Sequence, residues 1–147
     1  MTELINAIEI AAPPSVIYAL AAATERWPDI LPHYRSVTVL RDGPVRLVAM
    51  AAWRDIVPIS WVAEQTNDPL TPHIRFRHVR GWTRGMDVEW RFAPAPGGTR
   101  VTIEHRLNFA FPIARDWLGK HVVGDFFVHD VATKTLARMK TLAESAA

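Results

Sequence analysis

Cysteine is absent from this chain. That excludes disulfide frameworks, thiolate zinc sites, iron–sulfur clusters and thiol nucleophiles. It fits a reducing, cytoplasmic setting. Long apolar runs are missing too, and none approaches the ~18 residues of a membrane span. The opening Met1-Thr2-Glu3-Leu4 has neither the basic nor the apolar stretch of a secretory signal. Charge of one sign never accumulates into a block, which leaves no basic arm or tail for nucleic acid. There is no internal repeat, low-complexity tract, Ser/His/Asp motif, phosphate-binding glycine loop or paired-carboxylate motif.

What is present is one domain's worth of chain, 147 residues, of which 49% are hydrophobic. Such a length buries roughly 68–70% of its unfolded surface and needs no metal or disulfide to fold. The sequence pI is 9.4. The balance behind it is only 17 basic against 15 acidic residues, spread along the chain, for a net charge of +2. Six Trp, six Phe and two Tyr are a heavy aromatic load, able to fill a core or wall a ligand cavity.

Apolar residues alternate at Leu4, Ile8 and Ile10, with Asn6 interrupting, which predicts a first strand. Pro13-Pro14 then opens a short helix over Val16 to Ala23, and Glu25 to Leu31 forms a second short helical stretch. From Tyr34 the period is two. Strands are expected through Val37 and Val39, over Val45–Ile56 and Ile59–Thr66, and around Ile74–His78, Met86–Phe92 and Val101–Phe109. Asp42-Gly43-Pro44, Asn67-Asp68-Pro69 and Pro94-Ala95-Pro96-Gly97-Gly98 are the turns between them. From about Ile113 to Ala143 the period becomes helical. Val128, Val131, Thr135, Met139 and Leu142 lie on one face, and Asp130, Lys134 and Arg138 on the other. These elements predict an α+β domain over residues 1–147, an antiparallel meander whose apolar face is covered by the long C-terminal helix.

Three segments carry a family resemblance: Ile8-Glu9-Ile10-Ala11-Ala12-Pro13, Arg26-Trp27-Pro28-Asp29-Ile30-Leu31-Pro32-His33-Tyr34 and Gly97-Gly98-Thr99. With the element order, they resemble the START-like (SRPBCC) superfamily, and within it the polyketide cyclase/dehydrase family that includes aromatase/cyclases. Quinone-binding and lipid-binding relatives have similar segments. The resemblance implies a helix-grip (START/Bet v 1-like) fold. In it a curved antiparallel sheet of about seven strands wraps the C-terminal helix, with two short helices after the first strand. It also implies an apolar cavity between sheet and helix.

Strand parity makes Trp61, Phe76, His78, Met86, Trp90 and His105 the cavity-facing candidates, joined by Tyr34, Trp82, Trp117 and His121 from loops and helices. Tyr34 matches an aromatase/cyclase tyrosine that follows the Trp-Pro segment. The family strand Trp-x-Ser-x-Arg corresponds to Trp61-Val62-Ala63-Glu64-Gln65, with Ala63 and Gln65 where the family has Ser and Arg. Gln65 is thereby a candidate ligand contact that hydrogen-bonds without charge. Losing one electrostatic stabiliser of a developing anion typically costs ~3–4 kcal/mol.

Tyr34, His78 and His105 are the candidate acid–base residues, because phenol and imidazole can move protons near neutral pH. His78 and His105 have an ordinary alternative as hydrogen-bonded core histidines. His121, Asp125 and His129 share a helical stripe, but eight residues span ~12 Å along a helix, too far for one ion. No metal and no cofactor is assigned. Arg75, Arg77, Arg91 and Arg106 alternate away from the core among Asp87, Glu89 and Glu104, as cross-strand ion pairs or as a docking face for an acidic acyl carrier protein.

The expected activity is cyclisation and dehydration of a polyketide-like small molecule bound in the cavity. The alternatives are a non-catalytic lipid, quinone or polyketide carrier or sensor, and a protein-interaction module. The chain is expected as a monomer or homodimer.

Overall fold

The structure is a computed structural model that describes residues 2–81, 83–107 and 128–146. Strand β1 (Thr2–Ile10) is followed by α1 (Pro14–Ala22), a single 3-10 turn (Thr24–Arg26) and α2 (Trp27–Ile30). Six strands follow: β2 (Tyr34–Arg41), β3 (Val45–Arg54), β4 (Val57–Asp68), β5 (His73–Gly81), β6 (Asp87–Ala95) and β7 (Gly98–Leu107). The last helix is α3 (His129–Ala146). The part of the expected C-terminal helix before residue 128 lies outside the described residues.

All seven strands form one antiparallel sheet in the order β1-β7-β6-β5-β4-β3-β2. This is the helix-grip arrangement expected from the sequence. The alternation sorts the two faces as predicted. On β7, Val101, Ile103, His105 and Leu107 are buried, while Thr102, Glu104 and Arg106 face out. Helix α3 closes the inner face with Val131, Ala132, Leu136, Met139 and Ala143, a three-four spacing that makes one apolar stripe. It packs along β1 and also touches α1 and β3. Fully burying an Ile or Met of this kind contributes about 1.5–3 kcal/mol.

The hairpin between β3 and β4 turns earlier than the sequence pattern indicates. Arg54 pairs with Val57, so Asp55 and Ile56 form a two-residue turn and Asp55 takes a positive φ of 55°. Pro58 is accommodated inside β4 because, among the described residues, β5 pairs with β4 only from Trp61 onward and leaves that side of Pro58 unpaired.

The Gly97-Gly98-Thr99 segment has a steric reason. A Cβ on Gly98 would lie 2.0 Å from the Ile10 carbonyl oxygen, so only glycine lets β7 start against the end of β1. Thr99 then donates its hydroxyl to the Ala12 carbonyl at 2.8 Å, holding the entry to α1.

Candidate functional site: an aromatic cavity under the sheet

The Trp-Pro-x-x-x-Pro segment builds the first wall. Pro28 sits in the first turn of α2, where its missing N–H costs nothing, and Pro32 follows the helix end. Leu31 N–H closes the turn on the Trp27 carbonyl, and Tyr34 N–H bonds back to Leu31. This brings the Trp27 and Tyr34 rings edge to face at 5.0 Å. Trp27 also touches Phe76 at 6.0 Å and Trp90 at 5.8 Å, and its indole N–H donates to the Leu20 carbonyl. Tyr34 meets Trp61 at 6.1 Å.

Between these rings, the β5–β7 face and the start of α3 lies a cavity of about 380 Å³. Trp27, Tyr34, Met50, Trp61, Phe76, His78, Thr83, Met86, Trp90, Ile103, His105, Val131 and Thr135 are among its walls. Val57, Pro58, Ile59 and Ser60 also line it, and Pro58 and Ser60 are exposed, so the arm of β4 next to the hairpin turn borders solvent.

Two histidines stand on this wall. His78 is buried and lies flat on Trp61, with ring centroids 5.5 Å apart and an interplanar angle of 13°. Its Nδ1 is 2.7 Å from the Thr83 hydroxyl in the β5–β6 turn, which leaves Nε2 without a partner among the described residues. The turn is held on His78 from both sides of its backbone: His78 N–H donates to Met86 O, and Gly85 N–H to His78 O. His105 is 8% exposed, and its buried Nδ1 has no hydrogen-bond partner among the described residues.

Burial pushes the His105 imidazole down to about 4. Burial, helped by the nearby His105, pushes His78 down to about 3. Both rings are therefore neutral at pH 7. Burial also raises the Tyr34 phenol above its usual range, so it stays protonated. No hydrogen-bond partner for its hydroxyl is present among the described residues.

The sequence-predicted residues divide into three groups. Tyr34, Trp61, Phe76, His78, Met86, Trp90 and His105 all line the cavity. Trp82, Trp117 and His121 lie outside the described residues, as does Asp125.

Gln65 is a correction. It does face inward, but its site is sealed by the segment after α1 and not by the cavity. Its carbonyl accepts from Thr24 at 2.7 Å, and its amide donates to the Ala22 carbonyl and to Asn67 Oδ1, both at 2.9 Å. Gln65 is fully buried with both amide hydrogens used and one bond accepted, and it is not among the residues lining the cavity.

Trp27, Met50, Thr83, Ile103 and Thr135 line the cavity without having been singled out as contacts. Of these, Thr135 carried a signal, a polar residue on the apolar face of the last helix. Its hydroxyl donates to the Val131 carbonyl at 2.7 Å and accepts from His33 Nε2 at 2.8 Å. His129 is exposed, and among the described residues no three His, Asp or Glu side chains gather as a metal site.

The outer face is a lattice of ion pairs. Arg91 reaches Glu104 at 2.7 Å and Glu89 at 3.2 Å, Arg106 joins Glu104 at 3.0 Å and also Glu89, and Arg75 meets Asp87 at 3.2 Å. The Arg91–Glu104, Arg106–Glu89 and Arg75–Asp87 pairs are the cross-strand pairs expected from the alternation, while Arg91–Glu89 and Arg106–Glu104 lie within one strand; Arg77 is exposed.

The sequence profile of the polyketide cyclase/dehydrase and lipid transport family matches residues 10–139. The chain belongs to this family. The granaticin polyketide synthase bifunctional cyclase/dehydratase of Streptomyces violaceoruber is 30% identical over 111 residues, covering 71% of this chain and 34% of that protein. A putative polyketide cyclase of Streptomyces cyaneus is 32% identical over 100 residues, covering 65% of this chain and 66% of that protein. The chain thus spans a third of one relative's length and just under two thirds of the other's.

Among solved structures, the Zhui aromatase/cyclase of Streptomyces sp. R1128 superposes with a TM-score of 0.82 at 18% identity, over 97% of this chain and 93% of its own. A START superfamily protein of Mycobacterium smegmatis does so at 0.75 and 12% identity, over 99% of both chains. At these identities the likeness establishes the fold of this polyketide cyclase/dehydrase family member, the helix-grip. No described helix is long and apolar enough to cross a membrane.

Proposed function

We propose that the cavity binds a polyketide-type aromatic precursor and assists its aldol cyclisation and dehydration, as a cytoplasmic biosynthetic step. One observation carries the reading. Three groups with hydrogen-bonding capacity unused among the described residues, the Tyr34 hydroxyl and the His78 and His105 imidazoles, line a cavity whose described walls include Trp27, Trp61, Phe76 and Trp90. Membership of the polyketide cyclase/dehydrase family supports the reaction class.

In this reading the Tyr34 O–H donates to a substrate carbonyl and lowers the cost of the enolate next to it. A neutral imidazole accepts the proton from a carbon flanked by two carbonyls. That carbon forms the new bond to a third carbonyl carbon, whose oxygen takes up the transferred proton as a hydroxyl; loss of the remaining hydrogen on the attacking carbon then forms the C=C bond, and the hydroxyl leaves with that proton as water. Both imidazoles are weak bases in the empty cavity, which matches an acidic 1,3-dicarbonyl C–H better than an isolated ketone. Thr83, bonded to His78 Nδ1, fixes which ring nitrogen is free.

Tyr34→Phe and His105→Ala are the test, in a reconstituted polyketide assay read by product distribution. Each is expected to lower the directed product by about a hundredfold. Unchanged products in both variants would remove the assigned roles.

A carrier or sensor of hydrophobic molecules is the second reading. It is favoured by Ala63 and the fully engaged Gln65 where the related enzymes place Ser and Arg. Native mass spectrometry of gently purified protein tests it, by whether an intact, unconverted ligand is retained. Carrier-protein docking on the outer sheet face has less support, because Arg75, Arg91 and Arg106 are paired with Asp87, Glu89 and Glu104 and only Arg77 of the four arginines has no acidic partner among the described residues.

A further inference from the structure

The cavity's chemistry narrows what it takes. Among the described residues, every side chain on its wall is uncharged, and the polar ones are Tyr34, Ser60, Thr83, Thr135, His78 and His105. Lys134 and Asp55 line a separate open groove on the outside, where they pair with each other at 3.7 Å. The volume is about 380 Å³. An apolar void of roughly 150 Å³ holds one benzene, so this one has room for about two to three fused rings.

We infer that the cavity selects an uncharged molecule of two to three fused rings bearing a neutral hydroxyl or carbonyl, and rejects the carboxylate of the same size. This deepens the binding reading above and rests on it.

Desolvation of a ligand charge here is set against what the described wall offers in return. An ionised carboxylate entering this space gives up its hydration and needs a cation or several convergent donors in return. The wall offers neutral imidazoles, and burial opposes protonating either of them. A phenol or ketone asks for far less. A neutral imidazole has one N–H and one bare nitrogen, enough to donate to a carbonyl or accept from a hydroxyl. His105 has no hydrogen-bond partner among the described residues, and leaving its buried Nδ1 unpaired is costly. The flat walls of Trp61, Phe76 and Trp90 suit a fused ring by stacking and edge contacts.

Three probes with one ring system separate the terms: naphthalene, 2-naphthol and 2-naphthoate, titrated into the purified full chain at neutral pH by calorimetry. The expected order is 2-naphthol tightest and 2-naphthoate weakest, with a gap between them of about tenfold or more. His105→Leu is expected to narrow the gap between 2-naphthol and naphthalene to less than about twofold. 2-Naphthoate binding as tightly as 2-naphthol overturns the charge selection while cavity binding stands. 2-Naphthol no tighter than naphthalene overturns the polar contact. Failure of all three to bind overturns the cavity as a binding site, and this inference with it. The wild-type ranking decides the question even where His105→Leu does not fold.

Discussion

Gln65 and His105 invite comparison. Both are buried polar side chains on the inner face of one sheet, and both read from the sequence as cavity groups. Gln65 lies where the chain after α1 covers β4, and Thr24, Ala22 and Asn67 take up its three hydrogen bonds. His105 lies where the inner face borders open volume, and its buried Nδ1 has no partner among the described residues. A buried polar group is costly unless bonded. The first site is therefore a clamp that stabilises the fold. The second, in the proposed reading, keeps a polar group available to a ligand at the fold's expense. Burial and parity alone do not distinguish them, but hydrogen-bond satisfaction does.

The largest test of this contrast is a pair of substitutions. Gln65→Ala leaves a cavity and strands the Thr24 hydroxyl and the Ala22 carbonyl, so urea unfolding should show a loss of about 2–4 kcal/mol. His105→Leu removes a polar group that has no partner, so stability should stay within about 1 kcal/mol of wild type or rise. A large loss at His105 with little at Gln65 would invert the assignment.

Acid sharpens the contrast next. His78 and His105 are held below the ordinary histidine range, to about 3 and about 4. The unfolded chain therefore binds protons first as pH falls. The stability these neutral rings bring is fully present above about pH 6.5 and is lost progressively from there down toward about pH 4 and then 3. Each ring adds up to about 1.4 kcal/mol per pH unit over that window. In denaturant melts at stepped pH, His105→Leu should flatten the slope by about one proton's worth. An unchanged slope would show that the ring is protonated in the native state.

The smallest effect is expected on the opposite face. Arg106 bridges Glu89 and Glu104 at a partly exposed site, so Arg106→Met should cost at most about 1 kcal/mol, and less still in high salt. A larger or salt-insensitive loss would mean that the outer lattice carries structural weight comparable to the Gln65 clamp.

Most of the fold was legible because period-two alternation and turn chemistry are local. The Asp42-Gly43-Pro44 turn, the inner series Val101, Ile103 and His105, and the α3 stripe need only nearest neighbours to be read. The β3–β4 turn was misjudged because Ile56 looks like strand and is in fact 89% exposed at the hairpin tip. Much of the site was legible by the same parity. Trp27 was visible as a family mark but not as a wall, since its role depends on the Pro32 stop turning the chain so that its ring meets Tyr34, Phe76 and Trp90.

The sequence by itself determined which faces are apolar, where most of the turns fall, and that no chemistry here draws on a thiol. Only the tertiary structure decided which inward polar residues are left unsatisfied. The reason is physical. Alternation sets the direction of a side chain, but its partners come from whatever packs over it, and that differs between the segment above Gln65 and the open volume beside His105.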